Sequence, residues 1–195
     1  MTAKAIITAI ERSSFEDGPG LRTVVFFKGC PLTCIWCHNP ECIDFSPQTM
    51  FYPEKCIGCG RCNEGCYSGA RVICGKRMTM DEIFSIIELD KDYYGDEGGV
   101  TFSGGEPLAQ AQVLSELIEK CKSAGIKTCI ETSLCIFNKE ILGNLDYIIA
   151  DFKIFDDEKH KKYVGISNRI IKENFIKLDS LNIHFEVNNH DIQGI

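Results

Sequence analysis

An α/β fold built on a parallel sheet is predicted by this sequence, and three observations predict it. Short, nearly continuous apolar runs recur along the chain, amphipathic helical segments separate them, and polar motifs follow the runs. About five βα units fit into the 195 residues, too few to close an eight-stranded barrel of roughly 250 residues. The expected form is an open, partial barrel with a small cysteine-rich insert.

The first strand is expected at residues 23–27, Thr-Val-Val-Phe-Phe. Further strands are expected at 100–102, 127–130, 147–150 and 183–187, all rich in β-branched or aromatic residues. Thr79 and Glu82 form a capping box that opens a helix with Met80, Ile83, Phe84 and Ile87 on its apolar face. Residues 110–124 place Leu114, Leu117, Ile118 and Cys121 on one helical face, and Gly125 stops that helix. Asn168 caps a further helix that buries Ile171, Phe175 and Leu178. On this frame the polar motifs converge. Residues 28–37 follow the first strand, Ser103 to Pro107 follow the second, Glu131 to Ser133 end the third, and Asp151 to Lys153 end the fourth. Carboxyl ends of parallel strands are where active sites of such sheets gather.

Composition narrows the class of function. With 44% hydrophobic and 25% charged residues the chain is globular rather than disordered. A net charge of -7 argues against a nucleic-acid partner. No apolar run approaches ~18 residues, so no membrane span is expected. Residues 1–4 lack the long apolar segment of a secretion signal, which points to the cytoplasm. The outlier is cysteine: 12 in all, eight of them between residues 30 and 66. Reduced cytosolic thiols in tight clusters read as metal ligands rather than disulfides, in an anaerobic setting.

Two clusters are distinct. Cys30-Pro-Leu-Thr-Cys34-Ile-Trp-Cys37 offers three thiolates, enough for three irons of a [4Fe–4S] cube with the fourth iron open to a ligand. Cys56-Ile-Gly-Cys59-Gly-Arg-Cys62-Asn-Glu-Gly-Cys66 has ferredoxin-like spacing, with Tyr67 where proline usually follows. Either Cys66 or Cys74 supplies its fourth ligand, and a zinc site is the alternative occupant.

Cys30-x3-Cys34-x2-Cys37 together with Gly104-Gly105-Glu106 resembles the radical S-adenosylmethionine (SAM) superfamily. More narrowly, Asp17-Gly18-Pro19-Gly20-Leu21-Arg22 and Gly29-Cys30 through Cys37-His38-Asn39-Pro40-Glu41 resemble the glycyl-radical enzyme activating enzymes, oxidoreductases of the [formate-C-acetyltransferase]-activating type. The likeness runs from about Ile6 to about Val187 and includes Gly165-Ile-Ser-Asn168. It implies a partial TIM-like barrel over 1–48 and 76–195, with a ferredoxin-like insert over 49–75. It also implies reductive cleavage of SAM at the first cluster, giving a 5′-deoxyadenosyl radical that takes hydrogen from a glycine of a partner enzyme. Flavodoxin or ferredoxin would supply electrons, and the insert would hold a second [4Fe–4S] cluster.

The resemblance assigns residues to roles. Cys30, Cys34 and Cys37 are cluster ligands, flanked by Trp36 and His38. Gly104 and Gly105 let the backbone approach closely, Glu106 or a nearby carbonyl accepts from the methionine ammonium, and Lys153 pairs with its carboxylate. Glu131, Thr132 and Asp151 form a small cation site beside SAM, Glu131 standing where the family has Asp. Asp17 through Arg22 faces the partner's glycine loop. Relatives continue with a sixth strand and a further helix, and the chain is expected to be short at its C-terminus, Ile195.

Blander readings stand beside these. Gly104-Gly105 is equally a turn, and Asp151 with Lys153 a strand-end salt bridge. Cys121, Cys129 and Cys135 read as structural, while Cys42 is ambiguous. His160, in the charged run 158–162, reads as solvated, and His184 and His190 have no evident partners. Two other functions remain open at this level: a truncated cluster-binding remnant without catalysis, and a radical SAM enzyme of another substrate class.

Overall fold

The computed structural model describes residues 3–62, 64–181 and 183–189. Its main sheet begins with an antiparallel pair, β1 (Lys4–Ser14) and β2 (Arg22–Phe27). Sequence reasoning did not foresee β1, although Ala5 and Ile7 alternate inward from it. A two-stranded sheet follows, β3 (Gln48–Phe51) against β4 (Arg71–Cys74), with residues 52–70 looped between. The chain then returns as β5 (Lys76–Thr79), which pairs antiparallel with β1 at the edge of the main sheet.

From there the expected alternation holds. Helix α1 (Met80–Glu88) leads to β6 (Gly99–Gly104), α2 (Ala111–Ser123) to β7 (Lys127–Thr132), and the short α3 (Lys139–Leu142) to β8 (Tyr147–Phe152). Two helices, α4 (Asp157–Val164) and α5 (Arg169–Asp179), precede β9 (Phe185–Asn189). The seven-stranded sheet runs β5-β1-β2-β6-β7-β8-β9, and β2, β6, β7, β8 and β9 are mutually parallel neighbours. All five predicted strands are present, most extended by a residue or two, and the last shifted to begin at Phe185. Residues 190–195, including His190 and the expected short C-terminus, lie outside the described residues.

The core explains why these segments fold as they do. Val25, Phe27, Val100, Phe102, Ile130 and Ile148 are solvent-free on the parallel strands, and Ile83, Ile87, Leu114, Leu117 and Ile118 cover them from α1 and α2. Phe27 and Phe102 meet edge to face at 6.1 Å. Cys121 and Cys129 are fully buried in this interior, as a structural role requires. His160 is a correction: it is 1% exposed on the inner face of α4, not solvated, because the charges around it occupy the other faces of the helix. Among the described residues no helix is long and apolar enough to cross a membrane.

The capping box of α1 is complete. The Thr79 hydroxyl accepts from the Glu82 amide at 3.2 Å, and the Glu82 carboxylate accepts from the Thr79 amide at 2.8 Å. Thr79→Ala should lower stability by about 1 kcal/mol. Urea denaturation would show this as a lower midpoint with an unchanged slope, and an unchanged midpoint would refute the cap's contribution.

Candidate active site

The carboxyl ends of β2, β6, β7 and β8 surround a cavity of about 480 Å³. Cys30, Cys34, Cys37, Trp36 and His38 line it from the loop after β2. Gly104 and Gly105 line it after β6, Glu131 and Thr132 at the end of β7, and Asp151 and Lys153 at the end of β8. Of the residues that sequence reasoning assigned to this site, Glu106 alone is absent from the walls.

The cysteine loop is closed at its base by backbone bonds, Gly29 N–H to Cys42 O at 2.7 Å and Cys30 N–H to Ile43 O at 2.9 Å. Burial pushes the Cys30 thiol up to about 12, with the nearby Glu106 and then Cys34 and Cys37 adding to the effect. Burial also raises Cys34, and the Lys153 ammonium opposes it. Such thiols keep their protons until a metal displaces them. No three His, Cys, Asp or Glu side chains among the described residues converge at the spacing of a single-ion site. The donor set, three thiols on one polar cavity, fits a [4Fe–4S] cluster with an open corner.

Gly104 and Gly105 form the floor, and their lack of side chains is demanded by the chain itself. Gly104 has a φ of +99°, and a Cβ there would lie 2.7 Å from the Phe27 backbone nitrogen and oxygen. A Cβ on Gly105 would lie 2.5 Å from Gly29 O. The closeness lets Gly105 N–H bond Phe27 O at 2.7 Å and Glu106 N–H bond Gly29 O at 2.9 Å. Glu106 points beneath the floor. Its carboxylate accepts from Thr132 Oγ1 at 2.8 Å, from Ser133 Oγ at 2.8 Å, and from the Ser133 and Leu108 amides. The expected contact between Glu106 and a ligand ammonium is thus corrected: the carboxylate is 1% exposed and already engaged. Burial raises its pKa and these donors oppose that.

The walls carry carboxylates. Asp17 and Glu16 line the cavity beside Glu131 and Asp151. Lys153 bonds Asp151 at 2.7 Å, so the salt bridge exists inside the cavity itself. Arg22, by contrast, does not face outward with Asp17. It is 1% exposed and donates to Thr101 Oγ1 at 2.5 Å and to Val100 O at 2.6 Å, an internal strut under the Asp17–Gly20 turn.

Between β3 and β4, Cys56, Cys59, Cys62 and Cys66 line one small cavity of about 30 Å³ with Arg61 and with Arg71 at the start of β4. Cys74 stands apart, its Sγ 3.8 Å from Glu41 O. A hydrogen bond from Ser68 leads in lowering the Cys66 thiol pKa. Cys42 is buried, with Sγ 3.2 Å from Thr8 Oγ1. Sequence reasoning missed Lys28, which is 1% exposed and donates from Nζ to Glu41 O and, at 3.2 Å, to Gln48 Oε1. A charge directly after a solvent-free strand was the available signal. Glu16 and Asn188 also line the main cavity without having been singled out.

A family model described as a 4Fe-4S single cluster domain matches residues 16–172. Among similar proteins is the 4-hydroxyphenylacetate decarboxylase activating enzyme of Clostridioides difficile (strain 630), 37% identical over 213 residues, covering 90% of this chain and 67% of that protein. The (2S)-3-sulfopropanediol dehydratase activating enzyme of Klebsiella oxytoca is 40% identical, covering 89% of this chain and 67% of that protein. Among solved structures, Streptococcus suis SuiB bound to precursor peptide SuiA is alike in fold, with a TM-score of 0.62 at 15% identity over 90% of this chain and 34% of that one.

Glu131 makes the cavity titrate. Burial, then the charges of Asp17 and Asp151, pushes its carboxyl from 4.5 to about 7 against a hydrogen bond from Ser103. The native protein therefore holds this proton more tightly than the unfolded chain. Ionising Glu131 lowers stability as pH rises from about 4.5 to about 7, and the loss levels off above that. Infrared difference titration should show a carboxyl with a midpoint near 7 that Glu131→Gln removes. A protein with no carboxyl titrating above about 6 would overturn this assignment.

Proposed function

This chain belongs to the glycyl-radical enzyme activating enzymes of the radical SAM superfamily, and we propose that it installs the radical on a partner decarboxylase or dehydratase of the kind its relatives' names specify. When bound, the cluster and SAM would supply the one-electron reductive chemistry by which a hydrogen atom is removed from the partner's glycine. The observation that carries the reading is that three thiols at this spacing share one cavity with the polar ends of β6, β7 and β8.

The chain's own residues have distinct tasks in it. Cys30, Cys34 and Cys37 hold three irons. The Gly104-Gly105 floor gives backbone polar groups to the methionine end, while Glu106 fixes that floor from below. Lys153, already beside Asp151, orients the methionine carboxylate. Glu131, Thr132 and Asp151 hold a small cation, which would neutralise the wall. Trp36 and His38 flank the cluster and nucleotide and exclude water. The main sheet is the wall of a partial TIM-like barrel over 1–48 and 76–195. Residues 49–75 are a ferredoxin-like insert whose Cys56, Cys59, Cys62 and Cys66 hold a second [4Fe–4S] cluster, because these four share a cavity and Cys74 does not. Flavodoxin or ferredoxin donates the electrons, in a cytoplasm that keeps so many thiols reduced.

Anaerobic reconstitution with iron and sulfide should yield a protein that forms 5′-deoxyadenosine from SAM under dithionite. It should also raise a glycyl radical signal on a cognate partner. No 5′-deoxyadenosine would sink the catalytic reading in favour of a cluster-binding remnant, and product without a glycyl radical would point to another substrate class. Cys34→Ala should abolish cleavage. Cys59→Ala should remove the insert's iron while leaving the first cluster's paramagnetic resonance intact, and loss of both signals would show one shared site.

A further inference from the structure

The segment after β8 carries a motif that the proposed chemistry leaves unused, Gly165-Ile166-Ser167-Asn168. Helix α4 ends on Gly165 in the left-handed conformation, φ +96°. The carbonyls of its last turn are turned to the cysteine loop. Val164 O accepts from the Thr33 amide at 2.9 Å, and Tyr163 O accepts from the Ile35 amide at 3.0 Å. Both amides lie between the ligands Cys30 and Cys37. Contact is so close that a Cβ on Gly165 would stand 2.3 Å from Thr33 Oγ1.

The helix end is itself fastened. His160 Nδ1 lies 2.7 Å from Ile166 O, and because a carbonyl only accepts, Nδ1 carries the proton. Its Nε2 is buried and has no partner among the described residues, so this ring serves the one bond. Asp157 accepts from Ser167 Oγ at 2.6 Å and from the Asn168 amide at 2.9 Å, and Asn168 Nδ2 donates to Phe155 O at 2.7 Å.

Amides that donate to cluster or cysteine sulfur stabilise the reduced, more negative state and raise a cluster's potential. Amides held by carbonyls cannot do so. A helix C-terminus adds partial negative charge, which also opposes the incoming electron. We infer that the C-terminus of α4 is a clamp that keeps the potential of the Cys30–Cys34–Cys37 cluster low by holding the Thr33 and Ile35 amides, with Gly165 and His160 as positioning residues. This rests on the cluster assignment proposed above.

The test compares wild-type holoenzyme with Gly165→Ala, His160→Leu and His160→Asn. It measures the potential of the SAM-responsive cluster by paramagnetic resonance titration, and hydrogen exchange at the Thr33 and Ile35 amides. Gly165→Ala and His160→Leu should exchange these amides roughly tenfold faster or more and shift the potential to less negative values. His160→Asn, whose amide can still donate to Ile166 O, should restore both. Unchanged exchange overturns the clamp, and faster exchange at an unchanged potential overturns the tuning. Loss of iron in the first two variants with a loaded, wild-type-like His160→Asn supports the clamp, whereas loss in all three assigns the segment to folding alone and overturns it. A wild type that loads no SAM-responsive cluster would sink the functional reading itself; a loaded wild type with invariant variants would sink only this inference.

Discussion

The buried carboxylate of Glu106 is the constraint on which the site depends. It accepts hydrogen bonds from Thr132 at the end of β7 and Ser133 just past it, while its own amide and that of Gly105 reach back to Gly29 and Phe27 at the end of β2. One short segment thereby fixes three parallel strand ends to one another. A buried carboxylate is tolerable only when its lone pairs are filled, and here hydroxyls and amides fill them. Its removal would leave those donors unpaired directly under the floor, which is why a carboxyl group sits where an apolar residue would pack more easily. The glycines above it follow from the same closeness: β2 and the turn after β6 approach until no Cβ fits between them.

Electrostatics above the floor has the opposite character. Asp17, Glu131 and Asp151 face one cavity, and Lys153 is shared with Asp151 rather than standing alone. Bringing carboxylates together out of water raises the pKa of the most buried one, Glu131, and favours any ligand that brings positive charge. SAM carries a sulfonium and an ammonium against a single carboxylate, so its net charge suits this wall.

Much of this was legible in the sequence because the signals were local. Cysteine spacing, the capping box at Thr79 and the polar ends of apolar strands each rest on neighbours a few residues apart. What escaped were long-range consequences of topology. β1 and β5 pair across about 70 residues of chain, and only the returning fold makes an edge for β5. Glu106 looked like a ligand contact because it follows two glycines at a strand end, yet the direction of its side chain is set by Thr132 and Ser133 on another strand. His160 looked solvated because its neighbours are charged, and Arg22 was placed outward only by the resemblance of its segment, whereas each has acceptors that only the packed sheet and loop supply. The lysine at position 28 escaped for the same reason.

One element joins the two halves of the chemistry. Lys153 opens the segment that leaves β8, and Gly165 closes it against Thr33 in the cysteine loop. Between them, α4 is internally fastened by Asp157, His160 and Asn168, so it moves as a unit if it moves at all. A displacement of that unit would shift the cation beside Asp151 and release the amides beside the cluster together. Through α4, the amides of the cysteine loop and Lys153 of the ligand wall are joined by one connected segment. A substitution that loosens α4 should register in both.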